Sequence, residues 1–181
     1  MGRLGRQGTL LTTDPPGPGR CPDPAFLGTL SGTMNVVLTG KLTVARPPEQ
    51  AFELFTARGE ERWVPGWQPR FPAPAPDDSA PGTVFETSAD GRTTTWVVAD
   101  RTPGRRVRYA RVLPGVTAGT VTVELAEGAG GHSDVTVTYE LTALTAAAEP
   151  ELREFAAGYA GMLRHWSDAI AAALTEMDGG E

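Results

Sequence analysis

The chain is poor in the residue types that build disulfides and metal sites. Its 181 residues include one cysteine, Cys21, and two histidines, His132 and His165. A single cysteine cannot form an internal disulfide, and neither histidine has ligand spacing to another candidate ligand. The sequence also lacks a GxSxG motif, so it gives no support for a serine nucleophile. We therefore expect neither a metal site nor a cofactor.

Long apolar runs and basic charge are also scarce. No stretch approaches the roughly 18 apolar residues that indicate a membrane-spanning helix, and the N-terminal TLLTT segment is too short for a signal-peptide core. The net charge is −6, and Lys41 is the only lysine. An acidic domain without a basic stripe is a poor match to a phosphate backbone. We therefore expect a cytoplasmic protein that neither inserts into a membrane nor binds nucleic acid.

The first 33 residues have no hydrophobic period of either helix or strand. They hold seven glycines and five prolines, with the segment DPPGPGRCPDP at their centre. This composition predicts a flexible N-terminal extension over residues 1–33. Residues 34–181 are long enough for one domain with a sizeable core.

The pattern within residues 34–181 predicts an α+β domain. Residues 35–45 alternate as a strand, Pro47 and Pro48 suit the start of a helix, and Gly59 is expected to end it. A second short helix covers EERW, and a proline-rich loop follows. Five further strands are predicted at residues 82–89, 91–100, 105–113, 119–127 and 134–143. The last two of these strands alternate apolar and polar residues, which is typical of an antiparallel sheet that is covered on one face.

The last regular segment carries a bulky apolar stripe at helical spacing. Its members are Leu152, Phe155, Tyr159, Met162, Trp166, Ile170, Ala173 and Met177. Steps of three or four residues place them on one side of an α-helix. We expect this helix to lie against the concave sheet, and incomplete wrapping would leave a pocket between them. Gly158 and Gly161 either leave room there, permit close sheet contact, or are simply tolerated.

The order of these elements resembles the START-like superfamily, also called SRPBCC, whose members have the helix-grip fold. The resemblance covers residues 35–177 and is carried by LTVARPPEQAFELFT, RWVPGW, TTWVVADRTPGRRVRYARV, GTVTVELAEGAGGHSDVTVTYELTAL and FAAGYAGMLRHWSDAIAAAL. Each motif is weak by itself, and their order is the specific feature. The resemblance implies a curved antiparallel sheet wrapped around the long C-terminal helix, two short helices after the first strand, and an elongated apolar cavity.

The candidate ligand-binding residues are large side chains expected on the inner faces of these elements. They are Trp67, Phe71, Phe85, Trp96, Tyr109, Arg111, Tyr139, Tyr159, Met162 and Trp166. Each aromatic residue is alternatively explained by core packing. Arg111 shares a strand face with Val107 by its period of two, so it is expected at the cavity or its rim. A guanidinium there suits a carboxylate, phenolate or enolate oxygen, unless the side chain bends outward to water.

Three functions remain open at this point. The favoured one is binding of a small hydrophobic molecule, aromatic or polyketide-like, in the expected cavity, with a homodimer left open. The second is an enzyme of the polyketide cyclase or aromatase type, in which the pocket orients a reactive chain and an Arg or Tyr stabilises enolate charge. The third is an interaction module that resembles activators of a chaperone ATPase. The fold alone does not choose among them, and no universal catalytic residue can be carried over.

Overall fold

The computed structural model describes residues 33–179. Its strands are β1 (Asn35–Val44), β2 (Val84–Ala89), β3 (Arg92–Thr102), β4 (Arg106–Leu113), β5 (Thr117–Glu127) and β6 (Ser133–Ala143). They form one antiparallel sheet in the order β1-β6-β5-β4-β3-β2. Its helices are α1 (Pro48–Phe52) and α2 (Glu149–Gly179), with 3-10 turns at Glu53–Phe55, Gly59–Arg62, Ala129–Gly131 and Ala146–Ala148. The predicted α+β helix-grip architecture is confirmed.

The period-two pattern of the strands determines which face of the sheet is buried. On β6 every second residue from Ser133 to Ala143 is buried, and the residues between them are exposed or half-buried. On the outer face Arg108 of β4 pairs with Glu140 of β6 at 3.2 Å, and Arg106 pairs with Asp100. The buried apolar side chains of β6 therefore point toward α2, as the alternation in the sequence predicts.

Helix α2 lies against the inner face near β1 and β6. The hydroxyl of Tyr159 donates a hydrogen bond to the carbonyl oxygen of Val137 at 2.7 Å, which links the helix to β6. On β1 the helix comes so close that a Cβ added at Gly40 would lie 2.2 Å from Cδ1 of Leu163. The glycine that permits close packing of helix and sheet is therefore in the strand.

The structure decides between the alternatives for two glycines and corrects two expectations about helices. Gly158 of α2 is exposed with open space around it, and Gly161 faces only Arg164, so neither glycine leaves room for a ligand or brings the sheet closer. Met177, expected on the buried stripe, is 47% exposed because α2 continues to Gly179, beyond its last buried residue Leu174. Gly59 does not end the first helix, since α1 ends at Phe52 and Gly59 begins a 3-10 turn.

Residues 1–32, which make up nearly all of the predicted extension, lie outside the described residues, as does Cys21. The boundary between extension and domain stays a prediction. In the described part of the chain, no helix combines the length and apolar character needed to cross a membrane.

Candidate ligand-binding site

A cavity of about 170 Å³ lies between the inner face of the sheet, the turns after α1, and helix α2. Its walls come from the turn region, from β2 to β6, and from α2. The lining residues are Ala57, Glu60, Val64, Trp67, Phe85, Trp96, Tyr109, Arg111, Val121, Val123, Tyr139, Phe155 and Trp166. Several of these, including Val64, Phe155 and Trp166, are only half-buried, so one side of the cavity borders the protein surface.

One wall of the cavity is an aromatic cluster on β2 and β3. The rings of Phe85 and Trp96 are stacked with centroids 5.8 Å apart and an interplanar angle of 2°. Trp67 meets both rings edge-on, and its indole N–H donates to the carbonyl of Ala57 at 2.7 Å. The indole N–H of Trp96 donates to Oγ1 of Thr87 at 3.0 Å. Because both N–H groups are already bonded, the rings offer the cavity their apolar surfaces in fixed orientations.

Glu60 enters the cavity from the 3-10 turn Gly59–Arg62. Only glycine fits before it, because a Cβ at Gly59 would lie 1.7 Å from the carbonyl oxygen of Glu53. The N–H of Gly59 donates to Oγ1 of Thr56 at 3.0 Å, which fixes the start of the turn. These contacts hold the Glu60 side chain against the apolar walls.

No side chain among residues 33–179 forms a hydrogen bond or ion pair with the Glu60 carboxyl group. Removal from water raises the pKa of this carboxyl from its ordinary value of 4.5 to about 8. Desolvation disfavours the charged form of the carboxyl and is the cause of this shift. At neutral pH the carboxyl is therefore mostly protonated, and it can donate a hydrogen bond into the cavity.

Arg111 lies on β4 and reaches the same cavity. One guanidinium nitrogen donates to Oγ1 of Thr117 at 3.1 Å, and the guanidinium carbon is 5.5 Å from the centre of the Trp96 ring. Within the described residues it forms no ion pair with a carboxylate. Burial lowers its pKa from 12.5, but a guanidinium stays charged at neutral pH. The cavity therefore contains a cation with unused donors.

The three buried tyrosines differ in what their hydroxyls contact. Tyr109 donates to the carbonyl of Phe55 at 2.8 Å, and Tyr159 donates to that of Val137. The hydroxyl of Tyr139 has no hydrogen-bond partner among residues 33–179, although this residue is only 7% exposed. Burial raises the pKa values of all three, that of Tyr159 to about 12, so all three are neutral. Tyr139 is the tyrosine whose hydroxyl is available to a ligand.

The cavity brings together most of the residues that the sequence singled out. Those that line it are Trp67, Phe85, Trp96, Tyr109, Arg111, Tyr139 and Trp166. Three others lie elsewhere. Phe71 packs on Phe85 from outside the cavity with the Arg58 guanidinium over its ring, and Met162 packs on the core. Tyr159 is held by its bond to β6 and faces a shallow surface groove beside β1. His165 is exposed.

Sequence reasoning missed Glu60 as a candidate. The one nearby sign is Trp63, a buried residue that directly follows the 3-10 turn Gly59–Arg62 and lies three residues after Glu60. The segment is too short to show a hydrophobic period, and the sequence EERW is typical of a solvent-exposed turn.

The curved sheet wrapped around a long C-terminal helix, with a cavity between them, is the helix-grip fold of the START-like superfamily. A family model described as "Polyketide cyclase / dehydrase and lipid transport" matches residues 35–174, and the chain belongs to this family. The resemblance inferred from the sequence is thus confirmed, and with it a fold that binds hydrophobic ligands. No curated protein matches the chain in sequence.

Solved structures from several organisms share this fold. Protein SA2116 from Staphylococcus aureus, of unknown function, has a TM-score of 0.62 at 13% identity, covering 82% of this chain and 98% of its own. Protein MLL2253 from Mesorhizobium loti has a TM-score of 0.57 at 18% identity, and the match covers 78% of this chain and 98% of MLL2253. Truncated norcoclaurine synthase from Thalictrum flavum has a TM-score of 0.56 at 15% identity, and the match covers 78% of this chain and 94% of the synthase. At these identities the likeness concerns the fold alone.

Proposed function

We propose that this protein binds a small hydrophobic molecule with one aromatic ring in the cavity between its sheet and α2. The observation that carries this proposal is the composition of the cavity, in which aromatic walls surround a few polar groups that keep free hydrogen-bonding capacity. Ligand sites in proteins are typically apolar pockets of this kind, with a small number of polar groups that fix orientation. The family description, which includes lipid transport, supports an apolar ligand.

The size of the cavity favours one ring. An engineered cavity of about 150 Å³ in another protein binds benzene, and drug-sized ligands occupy pockets of roughly 300–1,000 Å³. At about 170 Å³ this cavity is close to the first value. A longer polyketide-like chain would require the half-buried residues at the surface side, such as Phe155 and Trp166, to move outward.

A cavity-filling variant tests the proposal. Val123→Phe adds a ring inside the cavity, and Val37→Phe makes the same change at a position 63% exposed on the outer face of β1. We expect toluene and benzyl alcohol to raise the melting temperature of the wild type and of Val37→Phe, but not of Val123→Phe. Equal shifts in both variants would place the ligand outside the cavity, and no shift in any of the three proteins would refute ligand binding.

An enzyme of the polyketide cyclase or aromatase type is the second candidate. Arg111 and the unpartnered hydroxyl of Tyr139 favour it, since both could stabilise negative charge that develops on an oxygen. Tyr109 is less suited to this role because its hydroxyl is bound to Phe55. For such an enzyme we expect Arg111→Ala and Tyr139→Phe to reduce cyclisation of a poly-β-ketone chain strongly. Unchanged products in both variants would exclude these roles.

The remaining expectations stay predictions. A role like that of the chaperone-ATPase activators needs an outer surface for a large partner, and a pull-down that recovers no stable partner would count against it. A cytoplasmic location is tested by cell fractionation. A homodimer is tested by sedimentation velocity, where a species near the 19.1 kDa of one chain would exclude it.

A further inference from the structure

The polar groups of the cavity do not satisfy one another. Glu60 and Arg111 both line it, yet they form no ion pair, and neither bonds to the hydroxyl of Tyr139. Burial raises the pKa of Tyr139 most, Glu60 raises it further, and Arg111 lowers it, so both side chains act on this hydroxyl. The half-buried side chains of Glu60 and Arg111 and the hydroxyl of the buried Tyr139 do not pair with one another, so their donors are free for a bound molecule.

The charge of the cavity depends on Glu60. With Glu60 protonated, the guanidinium of Arg111 leaves the cavity with one positive charge, whereas ionised Glu60 would cancel it. Outside the lining, Arg92 on β3 and Glu151 on α2 also act on Arg111, but they pair with each other at 2.9 Å. Tyr109 and Tyr139 are neutral. At neutral pH the cavity therefore carries one positive charge, on Arg111, that no anion balances.

We propose that the cavity takes a monocyclic aromatic acid, whose carboxylate pairs with Arg111 and the hydroxyl of Tyr139. This inference rests on the proposed function and names the class of ligand for the same site. A guanidinium binds a carboxylate through two parallel hydrogen bonds, and Arg111 uses only one of its donors on Thr117. The ring of the acid then lies against the Phe85 and Trp96 wall.

The ligand charge and the Glu60 charge are consequently coupled. When Glu60 ionises, a second anion shares a poorly solvated cavity with the ligand carboxylate, and like charges in such an environment repel strongly. Binding of the acid therefore weakens as the pH rises through about 8, the pKa of Glu60. A neutral ligand of the same shape is not subject to this repulsion.

Calorimetric titrations with benzoate and with benzamide, its uncharged analogue, test the inference at pH 6.5 and pH 9. We expect wild type to bind benzoate more tightly than benzamide at pH 6.5. At pH 9 only about a tenth of Glu60 is protonated, so the benzoate dissociation constant should rise about tenfold, with benzamide unchanged. Arg111→Gln should remove the preference for benzoate.

Two glutamate variants separate the role of Glu60 from general pH effects. Glu60→Gln should bind benzoate equally at both pH values, whereas Glu61→Gln, at the exposed neighbouring position, should keep the tenfold change. Because wild type and Glu60→Gln carry the argument, it survives even if Arg111→Gln fails to fold. A benzoate affinity that does not change with pH would refute the coupling to Glu60. Benzamide binding without a benzoate preference would refute the acid ligand and leave the proposed function standing. Failure of both compounds to bind would refute both.

Discussion

The hydroxyl of Tyr109 donates a hydrogen bond to the carbonyl oxygen of Phe55 at 2.8 Å. The two residues are far apart in the chain, and their bond joins β4 to the 3-10 turn after α1. Both are almost fully buried. The turn that carries Glu60 follows directly, so this bond helps to fix the distance between Glu60 and the sheet.

Removing this hydroxyl should destabilise the fold. Tyr109→Phe leaves the buried Phe55 carbonyl without its partner, which costs about 1–3 kcal/mol of unfolding free energy. Tyr139→Phe is the matched control, because its hydroxyl has no partner in the described part of the chain, and it should change stability by less than about 0.5 kcal/mol. Urea unfolding of both variants measures the difference. Equal costs would contradict the assignment of the two hydroxyls.

The two glycine environments predict opposite effects of alanine. At Gly40 a new Cβ would lie 2.2 Å from Cδ1 of Leu163, so Gly40→Ala must displace this buried side chain and should cost about 1–3 kcal/mol. At Gly158 a Cβ meets open space in a helix interior, so Gly158→Ala should stabilise by roughly 0.5–1 kcal/mol. Thermal and urea unfolding provide the comparison. A stabilised Gly40→Ala would mean that helix and strand are farther apart than described.

The raised pKa of Glu60 predicts that stability falls as the pH rises. In the unfolded chain this carboxyl ionises near 4.5, whereas in the folded protein it holds its proton until about pH 8. Between these values the folded state binds more protons, so the free energy of unfolding decreases with pH, by at most roughly 1.4 kcal/mol per unit from this group. Above pH 8 its contribution is constant.

Substitution of Glu60 isolates this effect from that of other titrating groups. Glu60→Gln has no proton to lose and should show a flatter dependence of unfolding free energy between pH 5 and 8. The difference between wild type and the Glu61→Gln control should be negligible across the same range. Parallel pH profiles for wild type and Glu60→Gln would show that the carboxyl is solvated.

Much of the sheet could be predicted because its pattern is local. The strict alternation on β6 identifies the inner residues Val137 and Tyr139 without any knowledge of the partner strands. Arg111 follows from Val107 by the same period of two, and the structure places it at the cavity. The limits of the buried stripe on α2 were less predictable. Leu163 was not among the residues predicted for the stripe, but it is only 5% exposed and packs toward Gly40.

The parts of the site that could not be predicted from the sequence depend on contacts between distant segments. Glu60 is half-buried and lines the cavity because of where the turn Gly59–Arg62 lies, and no periodicity in four residues can show this. The separate roles of the tyrosines likewise depend on which carbonyl each hydroxyl meets. Tyr109 and Tyr139 look alike in sequence, and only the position of the Phe55 carbonyl distinguishes them.

The central claim is that the space between the sheet and α2 is a ligand site. The most direct measurement is anomalous diffraction from crystals soaked with iodobenzene, whose iodine can be located without reference to the protein model. We predict one strong peak among Trp96, Val121 and Trp166, and no such peak in Val123→Phe. An interior filled by the protein's own side chains, with iodine found only on the outer surface, would contradict the account.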